Sequence, residues 1–211
     1  AVPLFIFMGL ILEKTKIAEN LIHDMNAMFN ETDSGYAISV VVVGALMAAS
    51  TGIVGASVVT LGLLTYPVLV KNGYSPSLAS GTICASGTLG QVIPPSLVLI
   101  LLADVLSSSY QQAQLNMGVF SPETITIADL FVGAILPGLI LPLLYIVYLK
   151  TLKIKSIEKT NSKKFNLFNI IYPLGLMFIV LGSIIFGIAT PSEAAGIGCL
   201  LYTSDAADDL R

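Results

Sequence analysis

Charge is scarce in this chain, and where it is missing matters more than how much there is. Asp, Glu, Lys and Arg make up 11% of the 211 residues, against roughly a quarter in an ordinary globular domain. None occurs in the 35 residues from Tyr36 to Val70 or in the 26 from Leu78 to Ala103. About 20 apolar residues suffice to cross a hydrocarbon core about 30 Å thick, so the composition excludes an ordinary soluble domain and reads as an integral membrane protein. Histidine is almost lacking as well. His23 is the only one, in a segment where a solvated or interfacial role is the ordinary reading. Cysteine is limited to Cys84 and Cys199, both in apolar sequence without CxxC spacing; they read as small buried apolar residues, and nothing points to a disulfide framework. No nucleophile has a base nearby, so no enzyme activity is expected. Asp104, Asp129 and Glu193 stand at segment ends, where solvated or capping roles are the default. A proton-relay pump places acidic groups or His within its spans. Their lack in the two long uncharged segments favours coupling to a metal cation.

What is present divides the chain into segments. Residues 1–35 read as the remnant of a membrane helix (1–12) followed by an amphipathic helix from Glu13 to Phe29. Its apolar residues Ile17, Leu21, Ile22, Met25, Met28 and Phe29 share one face, to lie at the interface or against a neighbour. Residues 36–104 hold the two uncharged segments. Residues 105–123 are polar and nearly uncharged and read as an extracytoplasmic loop. Residues 124–189 read as two membrane helices joined by the loop 150–164, which carries six of the ten basic residues and so faces the cytoplasm. Working outward from that loop, Lys71 faces the cytoplasm and "NETDSG" (Asn30–Gly35) faces outside. Residues 190–201 open a further helix, with Thr190 as cap, Pro191 in the first turn and Glu193 three residues after the cap. The polar residues 202–211 read as a non-native tail on a truncated chain.

Both uncharged segments carry helix breakers where lipid most demands a helix. Thirty-five residues are too many for one ordinary span, and "AASTGIVGAS" (Ala48–Ser57) interrupts them. The second segment is interrupted by "GTICASGTLGQVIPPSL" (Gly81–Leu97). Inside lipid an unwound backbone survives only when buried in protein or lining a polar cavity. Small residues alone often serve close helix packing. Packing explains the double proline poorly, because Pro95 lacks a donor and pushes Pro94 away from helical geometry. The expected fold is therefore an all-α polytopic membrane protein with broken helices and re-entrant hairpins. Paired broken segments point to a transporter site, with Ser50, Thr51, Gly52 and Ser57 from one interruption. The other supplies Ser86, Gly87, Thr88, Gly90, Pro94, Pro95 and Ser96. Hydroxyls and freed carbonyls there suit Na⁺, and half-helix N-termini suit an anion.

The stretch from Gly81 to Gly138, "GTICASGTLGQVIPPSLVLILLADVLSSSYQQAQLNMGVFSPETITIADLFVGAILPG", resembles the large membrane subunit of TRAP (tripartite ATP-independent periplasmic) transporters. "PLFIFMGLILEKTKIAENL", "GYSPSLASG" and "GIATPSEAAGIG" extend the resemblance over nearly the whole chain. "STGIVGASVVTLG" departs from the family's commoner "SGSSVATVAAIG" type and, with "YQQAQ", is similar to the subgroup labelled mannitol/chloroaromatic. The resemblance implies an elevator-type permease of the bacterial inner membrane, of which this chain holds the first inverted repeat and connecting helices. It implies import of organic acids, with Na⁺ as coupling ion and no other cofactor. It implies as partners a small membrane subunit and an extracytoplasmic solute-binding protein, with no nucleic acid. It assigns 50–57 and 87–96 to the first repeat's share of the site. Two other readings compete: a membrane scaffold whose glycines serve packing, and another broken-helix anion/Na⁺ symporter that works without a binding protein.

Overall fold

The computed structural model describes residues 3, 4, 6, 7, 17–29, 34–152, 154 and 168–208, and all regular structure among them is helical. Most of the expected helix remnant at 1–12 lies outside these residues. The first helix in the expected amphipathic segment, α1 (Ile17–Phe29), lies against a neighbour: Leu21, Ile22 and Met25 are buried in one apolar cluster with Tyr36, Ala37, Val40 and Val41. The spacing of three and four that marks its apolar face is the spacing that packs. Met28, at the end of that face, remains exposed.

The uncharged segment 36–70 is not one rod. It forms α2 (Gly35–Thr51) and α3 (Val54–Lys71), separated at Gly52 and Ile53. The two helices run out and back. The Ala37 amide at the start of α2 donates to the Tyr74 hydroxyl just beyond the end of α3, at 3.4 Å. Burial of Tyr74 pushes its phenol above the usual range. The Ser34 amide donates to the Ile154 carbonyl at 2.8 Å, and the Ile154 amide donates to the Ser34 hydroxyl at 3.2 Å. The start of α2, the end of α3 and residue 154, within the basic loop, therefore share one end of the molecule. This corrects the expected topology, which placed "NETDSG" on the side opposite Lys71 and the basic loop. That assignment counted the uncharged segment as a crossing, whereas the chain turns back at Gly52.

From the same end α4 (Pro76–Thr88) runs beside both arms of the hairpin, with Pro76 in its first turn and the Ser75 hydroxyl accepting from the Leu78 amide. A 3₁₀ turn, Leu89–Gln91, and an irregular stretch through Ser96 break the direction before α5 (Leu97–Asn116). This segment is a broken helix. Residues 105–116, expected as a loop, continue α5. Their polar side chains bond within the helix, as in Gln111 Nε2 to Ser107 Oγ at 3.2 Å, so polarity there marks an exposed helix. The loop after it folds back, with the Glu123 amide donating to the buried Gln114 at 2.8 Å.

The returning helix α6 (Ile127–Leu152) has 26 residues, about 39 Å at 1.5 Å per residue. Its outer face is apolar throughout, with Val132, Leu136, Leu139, Ile140, Leu143 and Val147 exposed, as a lipid-facing helix requires. It and α3 are the two helices among the described residues that are long and apolar enough to cross a membrane. Length alone would let α3 cross, but its start at the turn lies level with the middle of α6, as shown below. Two further helices, α7 (Phe168–Ile185) and α8 (Pro191–Asp208), pack Val180, Ile184, Ala194 and Ala195 against Ile100 and Phe131. Gly187 (φ +68°) ends α7, the Ile188 amide reaching back to the Ser183 carbonyl. The expected start of the last helix holds: the Thr190 amide and hydroxyl donate to Glu193, whose amide donates to Thr190 Oγ1. Thr126 and Asp129 repeat this reciprocal arrangement at the start of α6. Past residue 201, α8 continues as helix to Asp208.

Candidate functional site

The two interruptions meet. Gly52, buried and at φ +60°, turns the hairpin at its tip, a conformation open to glycine because it has no Cβ to strike the following carbonyl. A Cβ at this position would sit 3.1 Å from the Pro95 carbonyl oxygen, 3.6 Å from the Leu97 nitrogen and 3.8 Å from Ser96 Cα. The Gly52 carbonyl accepts from Gln91 Nε2 at 3.1 Å. The hairpin tip is thus seated directly on the broken helix.

The break follows from the two prolines. A helix continued through them would pair the Gly90 and Gln91 carbonyls with the amides of residues 94 and 95, and proline has none. The Gln91 carbonyl instead accepts from Ser96 Oγ at 2.9 Å. The same Ser96 oxygen accepts from the Leu99 amide at 3.4 Å, capping α5. Pro94 and Pro95, joined by a cis peptide bond, and Ser96 are buried. Four helix ends therefore converge: the C-termini of α2 and α4 and the N-termini of α3 and α5. The backbone before α3 is extended at Ile53, with no side-chain cap.

Depth follows from α6. A Cβ on buried Gly138 would lie 3.4 Å from Ile93 Cα and from the Val92 carbonyl oxygen, so the break crosses α6 there. Gly138 is 11 residues from Ile127 and 14 from Leu152, or about 16 Å and 21 Å along the axis. The junction sits near the middle of a membrane-length helix. Hence α2 and α3 re-enter rather than cross.

The residues expected to form the site separate into two sets. Gly52, Gly90, Pro94, Pro95 and Ser96 lie in the junction. Ser57, Ser86 and Gly87 lie beside it, all three buried, with Ser86 and Gly87 in helix-to-helix contact. Gly87 faces Val58 so closely that a Cβ would overlap Val58 Cγ2 and lie 3.0 Å from its Cα. Ser86 packs on Gly44, where a Cβ would lie 2.5 Å from that of Ser86. The hydroxyls of Ser57 and Ser86 donate to carbonyls one turn back, Ile53 at 2.9 Å and Thr82 at 2.6 Å. Thr88 is exposed, its hydroxyl on the Ala85 carbonyl at 2.8 Å. Ser50 and Thr51 close α2 on the hairpin side of the tip; their side chains lie outside the described residues. Reasoning from small residues missed Gln91, although a glutamine in an uncharged membrane segment is itself a signal. No group of three or more His, Cys, Asp or Glu is placed to hold a metal among the described residues; the segments 48–57 and 87–97 carry no charged residue, so the oxygens they bring to the junction are neutral. A cleft of about 590 Å³ opens elsewhere, between α4 and the end of α6, lined by Ser75, Ser77, Thr82, Tyr145 and Tyr148 among others, and shares no residue with the junction.

Comparison with known sequences finds relatives over nearly the whole chain. The family model described as "Tripartite ATP-independent periplasmic transporter, DctM component" matches residues 1–203. The "C4-dicarboxylate TRAP transporter large permease protein DctM" of Vibrio cholerae is 32% identical over 95% of this chain and 42% of its own length. The "Ectoine TRAP transporter large permease protein TeaC" of Halomonas elongata is 29% identical over 96% of this chain and 44% of its own. The "Isethionate TRAP transporter permease protein DctMQ" of Oleidesulfovibrio alaskensis is 28% identical over 96% of this chain and 32% of its own. The chain spans less than half the length of these relatives.

Proposed function

Because this chain belongs to the DctM component family of tripartite ATP-independent periplasmic transporters, we propose that the complete protein is the permease subunit of a Na⁺-coupled secondary transporter in the bacterial inner membrane. It imports small organic acids handed over by an extracytoplasmic solute-binding protein, together with a small membrane subunit. The convergence of four helix ends at the Gly52–Pro95 junction carries this reading. Two helix N-termini place partial positive charge there and favour an organic anion. Two C-termini and the carbonyls released by Pro94 and Pro95 supply hard neutral oxygens, which suit a hard cation such as Na⁺. The site needs no protonatable group, consistent with the uncharged stretches on either side. The named substrates of the relatives support a small polar or anionic cargo. The hairpin and broken helix, packed through Gly44–Ser86 and Gly87–Val58, form one unit that can move against α6 as an elevator.

The test is uptake by proteoliposomes holding the complete permease and its small subunit, supplied with binding protein and a labelled C4-dicarboxylate, other organic acids or ectoine. Accumulation driven by an inward Na⁺ gradient and abolished by omitting the binding protein is expected. Uptake that ignores Na⁺, or proceeds unchanged without binding protein, would refute the proposal.

A further inference from the structure

Gln91 is the one long polar side chain inside the junction, and its two amide atoms are in unequal positions. Its Nε2 donates to the Gly52 carbonyl across the gap between hairpin and broken helix. A carbonyl can only accept, so the amide nitrogen must face Gly52 and Oε1 is turned the other way. There Oε1 is fully buried and accepts no hydrogen bond from any described residue. Buried side-chain oxygens almost always have a partner. Pro94 and Pro95 have no N–H to offer Oε1, the Val92 and Ile93 amides are engaged by the Leu89 carbonyl, and the Leu99 amide by Ser96 Oγ. The Pro95 carbonyl oxygen lies against the hairpin tip at Gly52, so the junction holds a further acceptor besides Oε1, and neutral oxygens of this kind suit a hard cation.

Resting on the Na⁺-coupled reading above, we propose that Gln91 is a cation-binding strap: Nε2 holds the hairpin tip on the broken helix while Oε1 contributes a side-chain oxygen to the coupling ion. One residue then links ion occupancy to seating of the tip, because the amide plane that presents Oε1 is fixed by the Gly52 bond. A loosened tip would swing the oxygen away, and a bound ion would draw the tip down.

The experiment measures the Na⁺ dependence of thermal unfolding of the purified complete permease, with choline as control salt, alongside Na⁺-dependent uptake. Losing a group that orients or supplies a metal ligand costs about tenfold to a hundredfold in affinity. Gln91→Leu is therefore expected to raise the Na⁺ midpoint in both assays by about tenfold or more. Gln91→Glu keeps the shape and the oxygens but loses the donor, and its Na⁺ midpoint is expected to become pH-dependent. A wild-type Na⁺ response with midpoints unaltered in Gln91→Leu, or pH-independent in Gln91→Glu should the leucine variant not fold, overturns the role of Gln91 alone. No Na⁺ response in the wild type overturns the ion-coupled reading and the strap together.

Discussion

Gly52→Ala tests the junction most directly, because two separate costs fall on one methyl group. At φ +60° an alanine sits in the left-handed region, at about 1–2 kcal/mol. Its Cβ would also stand 3.1 Å from the Pro95 oxygen, so one of the two must shift by a few tenths of an ångström. Together these make a penalty of about 2–3 kcal/mol. If it falls on seating of the tip, the competent arrangement becomes roughly thirty- to a hundredfold rarer, at 1.4 kcal/mol per tenfold. Expected is a loss of Na⁺-dependent uptake of that order, at near-wild-type protein yield, with a lowered melting temperature. Gly52→Asn separates the causes: asparagine tolerates the left-handed region better, so only the Pro95 contact remains and the loss should be partial. Gly55→Ala is the control, since a Cβ there meets nothing within 4 Å. Wild-type uptake and melting in Gly52→Ala would refute the argument, because neither the backbone conformation nor the Pro95 contact could then be as described.

Other substitutions probe separate links. Gly87→Ala and Gly44→Ala each drive a Cβ into a facing helix and should destabilise by about 1–3 kcal/mol, seen as lower yield and melting temperature, with uptake per folded molecule nearly kept. A loss of uptake at normal stability would place Gly87 in the site instead. Ser96→Ala removes both the α5 cap and the donor to the Gln91 carbonyl and should cost about 1–2 kcal/mol in thermal unfolding; Ser96→Thr should recover most of it, and failure of that rescue would refute the hydroxyl's role. Paired substitutions Ser34→Cys and Ile154→Cys, in a background lacking Cys84 and Cys199, should form a disulfide on mild oxidation because the two backbones are hydrogen-bonded. If these residues faced opposite sides of a core about 30 Å thick, no bridge could form, and its absence would refute the re-entrant hairpin.

The sequence by itself determined that this chain is a helical membrane protein and where its helices break. Thirty-five and 26 uncharged residues in a row admit no other solvent, and proline without an N–H breaks a helix whatever surrounds it. Local rules also reached Thr190, Pro191 and Glu193, because a capping box closes within four residues. They could not decide which breaks face each other, since Gly52 and Gln91 are 39 positions apart in the chain and their bond depends on how three helices pack. Nor could they separate Gly87 from Gly90: both are small residues in one motif, but only the packed helices show Gly87 against Val58 and Gly90 in the junction. Whether α2 and α3 cross or re-enter was equally undecidable from length, because α3 is long enough to span and α2 nearly so. The Ser34–Ile154 and Gly138–Ile93 contacts decided it, since depth in a bilayer is a relation between segments and no single segment carries it.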